Sequence, residues 1–189
     1  MSQAAAKNTQ RSKFSVRDIC YTGLFAAVIA VMAQISIPMP LGVPMTMQTF
    51  AITLAAVVLG SKLSAMASLV YLILGAVGVP VLASFSGGID KFVGPTGGFL
   101  ISFPLMAYII GLGVEHRNAF KGAFPLAVVV GTVVNYIVGV ILFVIVAHST
   151  MALAISACVL PFIPTAIIKA VLACAIGLNI RKRIPGLKA

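Results

Sequence analysis

Residues 46–77 read TMQTFAITLAAVVLGSKLSAMASLVYLILGAV, and the number of times this stretch crosses a bilayer decides the fold. Taken as one segment it is a long apolar helix. Taken as two, it turns at Gly60-Ser61-Lys62, where its one charged residue sits beside a glycine. Each half is then short for a hydrocarbon core that calls for about 20 residues, with a range near 17–25. Charge decides between the two readings. Apolar stretches at about 17–37, 46–60, 62–77, 98–115, 121–147 and 152–181 make six spans, which bring both termini, Lys62, Arg117 and Lys121 to one side. Eleven of the thirteen basic residues then share that side, leaving only Lys91 and Lys169 elsewhere. Because Lys and Arg collect in cytoplasmic loops, the expected fold is all-α and integral to the membrane, with six transmembrane helices and both termini cytoplasmic.

Composition supports a membrane chain. Of 189 residues, 61% are hydrophobic and 8% charged, against about 25% charged in soluble domains, so the chain cannot clothe a water-facing surface. The expected organisation is a basic cytoplasmic arm over 1–16, one six-helix membrane domain over 17–183 and a short cytoplasmic tail over 184–189. The formal charge of +10 does not indicate nucleic acid. Its basic residues cluster beside the apolar spans as Lys7, Arg11, Lys13 and Arg17, then Arg181, Lys182, Arg183 and Lys188, with no interleaved aromatics to stack on bases. Cys20, Cys158 and Cys174 have neither metal-ligand spacing nor a disulfide framework. They read as small apolar filler, and no metal site is expected. The first apolar stretch is longer than a signal-peptide core and lacks a small-residue cleavage site, so it reads as a retained span.

Lys169 is the chain's most informative cation. No Asp, Glu, Lys or Arg occurs from 122 to 168, and after Lys169 none follows until Arg181. Placing such a cation mid-membrane costs roughly 2.5–3.5 kcal/mol on insertion scales, so it usually faces a cavity, a partner or a ligand. The plainer alternative is that it snorkels to the interface. Pro161 and Pro164 interrupt the last stretch, and a new helical segment is expected near Pro164, since proline fits a first helical turn. Lys169 then lies one to two turns from its outer end. The outer loops are unusual too. Residues 37–44 are proline-rich and uncharged, while 75–98, GAVGVPVLASFSGGIDKFVGPTGG, hold seven of the seventeen glycines. The second is too apolar for a solvated linker and too rich in glycine for a helix. Irregular backbone near membrane depth is tolerated where it is buried or lines a cavity, so 75–98 reads as a lid over a ligand pocket.

Several of these residues form a recognisable pattern. The run Tyr71-Leu72-Ile73-Leu74-Gly75-Ala76-Val77-Gly78-Val79-Pro80-Val81, the Gly87-Gly88 pair and Gly94-Pro95-Thr96-Gly97-Gly98-Phe99 resemble the BioY family. The likeness extends to Val43-Pro44-Met45-Thr46-Met47-Gln48-Thr49 and to Pro161-Phe162-Ile163-Pro164 followed by Lys169, and covers about residues 15–183. Members of that family are the biotin-specific capture (S) subunits of energy-coupling factor transporters. The resemblance implies six membrane helices in the plasma (inner) membrane of a bacterium and biotin capture near the outer face. It also implies a transmembrane coupling protein and a pair of ATP-binding subunits as partners. The subunit itself is then no enzyme, has no catalytic residues and needs no cofactor; biotin is its transported ligand. No G-x-x-x-x-G-K-[ST] loop occurs, so ATP is left to another chain.

Biotin needs a cation or several N–H groups for its carboxylate, donors and acceptors for its ureido group, and apolar walls for its thioether ring. Lys169 could serve the carboxylate or the ureido oxygen. Gln48 and Asn135 lie in apolar helices and can both donate and accept; hydrogen bonding between helices is their other reading. Thr96 with the N–H groups of Gly97 and Gly98 could hold an anion at a helix start. Phe85 and Tyr136 could pack on the ring, with Ser84 a further contact and Gly87 and Gly88 part of the lid. The family pattern commonly places an acid three positions before the lysine, on the same helical face. Here that position is Ala166, and Asp90 is the one outer acid that could substitute. Ala26 and Ala30 resemble the alanine face by which capture subunits meet their coupling protein; internal packing is the alternative. A stand-alone secondary transporter or channel for biotin or another carboxylate-bearing vitamin is the competing function. An intramembrane enzyme would need a positioned nucleophile and base, and no Ser–His, Ser–Lys or paired-acid arrangement is present.

Overall fold

In a computed structural model, residues 15–39, 42–117 and 122–184 are described. Lys7, Arg11, Lys13, Lys121 and Lys188, and with them most of the expected 1–16 arm and 184–189 tail, lie outside the described residues. Among these residues, eight α-helices, one short hairpin and a 3-10 turn at Ala83–Phe85 follow. The α-helices and strands are, in order, α1 (Val16–Ala33), β1 (Ser36–Ile37), β2 (Met45–Thr46), α2 (Gln48–Leu59), α3 (Ser61–Ala76), α4 (Asp90–Val93), α5 (Gly97–Glu115), α6 (Ala123–Val146), α7 (Met151–Cys158) and α8 (Phe162–Arg183).

The turn at Gly60 is real. Gly60 takes φ +84°, a left-handed conformation that favours glycine. Glu115, from the far end of α5, accepts from Ser61 N–H at 2.7 Å and from the Ser61 hydroxyl, capping α3. Gly111, one turn earlier, abuts the Gly60-Ser61 backbone, so a side chain there would force the two helices apart. Four helices, α1, α5, α6 and α8, are long and apolar enough to cross a membrane. The other two expected spans are shorter. At 1.5 Å per residue, α2 and α3 reach about 18 and 24 Å against a core of about 30 Å. For α2 this length is harmless. Every residue but Thr49 is buried, enclosed by α1, α3, α5 and α8.

The last apolar stretch divides rather than running through. Thr150 caps α7 through its hydroxyl, and the chain breaks at 159–161. Pro161 then precedes α8, and Pro164 falls in its first turn, where the missing N–H costs nothing. The proline-rich loop closes as a hairpin, with Ser36 opposite Thr46 and Ile37 opposite Met45. One core cluster joins α1, α2, α3 and α5 around Ile29, Ile52, Tyr71 and Met106.

All three acidic residues stabilise helix starts, where the N-terminal dipole favours negative charge. Asp18 completes a capping box with Ser15 on α1, Glu115 caps α3, and Asp90 opens α4. None of them is left to meet Lys169.

Candidate functional site

A cavity of about 280 Å³ lies where the hairpin loop, the 82–86 turn and α5, α6 and α8 converge. Its wall includes Gln48, Ser84, Thr96, Asn135, Tyr136 and Lys169. Residues distant in sequence and chosen separately thus share one wall. Ala166 lines it too, so the position where the family pattern carries an acid is a cavity position.

Lys169 is half-buried, and its ammonium donates to the Thr46 carbonyl at 2.7 Å. Among the described residues the one ion pair joins Lys91 to Asp90, at 3.2 Å. Lys169 therefore meets a dipole but no countercharge. Thr46 is also the anchor for Gln48: its hydroxyl donates to Gln48 Oε1 at 2.7 Å, while Gln48 Nε2 donates to the Tyr71 hydroxyl at 2.6 Å. One Gln48 N–H remains uncommitted. Asn135, 2% exposed, donates from Nδ2 to Ser102 Oγ at 2.7 Å and to the Phe99 carbonyl at 3.0 Å. With both N–H groups held inside, its carbonyl oxygen is what it can offer the cavity. The hydrogen bonding between helices expected of Asn135 is thus present, and its position on the wall leaves the carbonyl oxygen free of those bonds. Phe99 and Tyr136 meet edge to face at 6.4 Å and, with Leu100, Phe103 and Phe162, supply the apolar wall.

Other expected contacts lie elsewhere. Phe85 is 72% exposed and off the cavity. Asp90 is also outside the wall and pairs with Lys91, so it does not replace the acid missing at Ala166. Gly97 and Gly98 do not line the cavity either. The Gly97 N–H donates to the Gly94 carbonyl at 2.9 Å, and a Cβ on Gly98 would lie 2.6 Å from the Val138 carbonyl. Their smallness lets α5 approach the 92–94 turn and α6. Gly87 and Gly88 likewise serve the loop's own packing: Gly87 sits against the Val79 backbone, and Gly88, at φ +108°, donates to the Gly75 carbonyl at 2.8 Å. Ala26 is 3% exposed and Ala30 packs against the same core, whereas Gly23 and Ala27 are exposed. The Ala26–Ala30 face is turned inward because α1 packs there on α3.

Two participants escaped the sequence reading. Lys91, which in the sequence stands out only as one of two basic residues away from the cytoplasmic side, lines the cavity. Gln34 ends α1 and holds the 81–85 turn: its amide nitrogen donates to the Val81 and Leu82 carbonyls at 3.1 and 3.2 Å, and its oxygen accepts the Phe85 N–H at 2.7 Å. An amide closing an apolar helix was the available signal.

Comparison with known proteins gives consistent results. The sequence profile of the BioY family matches residues 6–186. "Biotin transporter BioY" of Thermotoga maritima is 42% identical over 168 residues, covering 88% of this chain and 97% of that one. The protein of that name from Rhodobacter capsulatus is 36% identical, covering 82% and 88%. A crystal structure of the S-component for biotin from an ECF-type ABC transporter superposes with a TM-score of 0.79 at 28% identity, covering 94% and 95% of the two chains.

Proposed function

This chain belongs to the BioY family, and from that premise we propose that it captures biotin in the cavity walled by Lys169, Gln48, Asn135 and Tyr136. It is a biotin transporter of the S-component type, a transport protein rather than an enzyme. One observation carries the site assignment: Lys169 faces the cavity while every acid of the chain is engaged at a helix start. A ligand carboxylate supplies the missing countercharge. Lys91 is already matched by Asp90, so charge balance gives the carboxylate to Lys169, with the spare Gln48 N–H as a second donor. The Asn135 carbonyl then accepts a ureido N–H, and Phe99, Phe103 and Tyr136 take the thioether ring.

In the membrane the chain makes six crossings with both ends cytoplasmic. The basic residues support this arrangement by gathering at one set of span ends, which puts the cavity at the outer face of a bacterial plasma membrane. A transmembrane coupling protein and a pair of ATP-binding subunits complete the transporter. The relation to an S-component of an ECF-type transporter supports those partners, as does the lack of any phosphate-binding loop in this sequence. Titration of the purified protein with biotin in detergent tests the central claim. Saturable binding is expected at sub-micromolar ligand, and its absence would sink the assignment. Uptake in cells with and without the coupling and ATP-binding subunits tests the partners.

A further inference from the structure

The segment 77–93 is more than a cover for the cavity. Helix α3 starts beside the exposed Lys62 and ends at Ala76. It falls about 6 Å short of the far boundary of a roughly 30 Å core. The chain that follows is therefore still at the depth of the bilayer's edge. Its irregular backbone meets the condition for that depth, bonding within the protein. The N–H groups of Gly78 and Gly88 both donate to the Gly75 carbonyl, Val79 N–H to Leu74, and Leu82 N–H to Ser86.

Its side chains point the other way. Val77, Phe85, Ile89 and Val93 are exposed, as is Ile73 in the last turn of α3. The tip is held in place at a cost. Ser84 and Phe85 take φ of 57° and 53°, a region that strains non-glycine residues. The Gln34 oxygen accepts the Phe85 N–H at 2.7 Å, and the Ser36 and Ser84 hydroxyls meet at 2.9 Å. The hydrogen bonds fix a strained turn whose outcome is a phenylalanine aimed away from both core and cavity. Such a residue suits the boundary between headgroups and acyl chains.

We propose that the 77–93 segment is seated in the lipid–water interface of the leaflet nearest the cavity, with Phe85 as its anchor. The lid's partner is a phospholipid surface. The proposal rests on the membrane-spanning reading above and not on the identity of the ligand.

The sequence contains no tryptophan, so Phe85→Trp creates a sole indole reporter. The full-length variant is placed in phosphatidylcholine vesicles whose lipids carry bromine at shallow acyl positions. The expected result is blue-shifted emission, most of it lost with the brominated lipid, and little lost to aqueous iodide. Red-shifted emission removed by iodide would put the lid in water and overturn the proposal. Quenching by neither agent would overturn it too, because a second copy or another protein would then cover the patch. Ile89→Trp is read in the same way should Phe85→Trp fail to fold. Biotin titration on the same vesicles separates the two claims: lost binding with intact lipid quenching refutes the ligand assignment alone.

Discussion

Replacing Lys169 by alanine removes one cation and three N–H donors from the cavity wall, one of which is committed to the Thr46 carbonyl at 2.7 Å. Two donors remain for the ligand. An ammonium–carboxylate hydrogen bond, with both partners charged, contributes about 1.5–3 kcal/mol, while the neutral ester oxygen, with only the ammonium charged, is taken at about 0.5–1.5. At about 1.4 kcal/mol per tenfold, biotin should lose roughly 10- to 150-fold in affinity, and biotin methyl ester only about 2- to 10-fold. The substitution also strands the Thr46 carbonyl and loosens the hairpin that positions Gln48. That disturbance weakens both ligands alike and cancels in their ratio. Isothermal titration of both ligands against wild type, Lys169→Ala and the longer Lys169→Met measures the ratio directly. A ratio of losses above about five supports the carboxylate assignment. Equal losses would refute it and move Lys169 to the ureido oxygen.

Further predictions concern the supports of the site. Asn135→Leu leaves the Ser102 hydroxyl without its 2.7 Å partner and removes the acceptor proposed for the ureido group; it should cost about 1–3 kcal/mol of stability, read as a lower Tm in detergent, and weaken biotin binding as well. Gly98→Ala meets the Val138 carbonyl and the Gly139 backbone; it should lose about 1–3 kcal/mol by overpacking, and an unchanged Tm would contradict the close approach of α5 and α6. Glu115→Gln weakens the α3 cap and should lower stability by about 0.5–2 kcal/mol with biotin affinity unaltered, because the acid is at the opposite end of α5 from the cavity. In a cysteine-free background, a thiol from Lys91→Cys should react with an impermeant reagent added outside and one from Ala119→Cys should not; the reverse pattern would invert the topology.

Much of this site was legible because its signals are expensive to maintain. Lys169, Gln48 and Asn135 are polar groups in apolar helices, and the cost of burying such groups marks them for a partner. The helices were legible from hydropathy, and the 60–62 turn from one glycine and one lysine. What the sequence could not supply was direction. Phe85 and Asp90 lie within a few residues of wall positions, yet a turn at Ser84 and the Asp90–Lys91 pair aim them elsewhere. Gly97 and Gly98 looked like anion donors because a glycine that lets two helices approach has the same letter as one that cradles a ligand. Ala26 misled for a related reason: small residues suit any close contact, inside or out, and only the packing of α1 on α3 tells which.

The placement of all three carboxylates at helix starts, two as caps and Asp90 paired with Lys91, has a bearing on energetics. A carrier that draws on a proton gradient commonly does so by loading and unloading an acid within the membrane. In this chain Asp18, Asp90 and Glu115 are each fixed at a helix end, and the cavity wall holds none. The cavity wall therefore offers no carboxylate whose protonation could be coupled to movement of a ligand bound there.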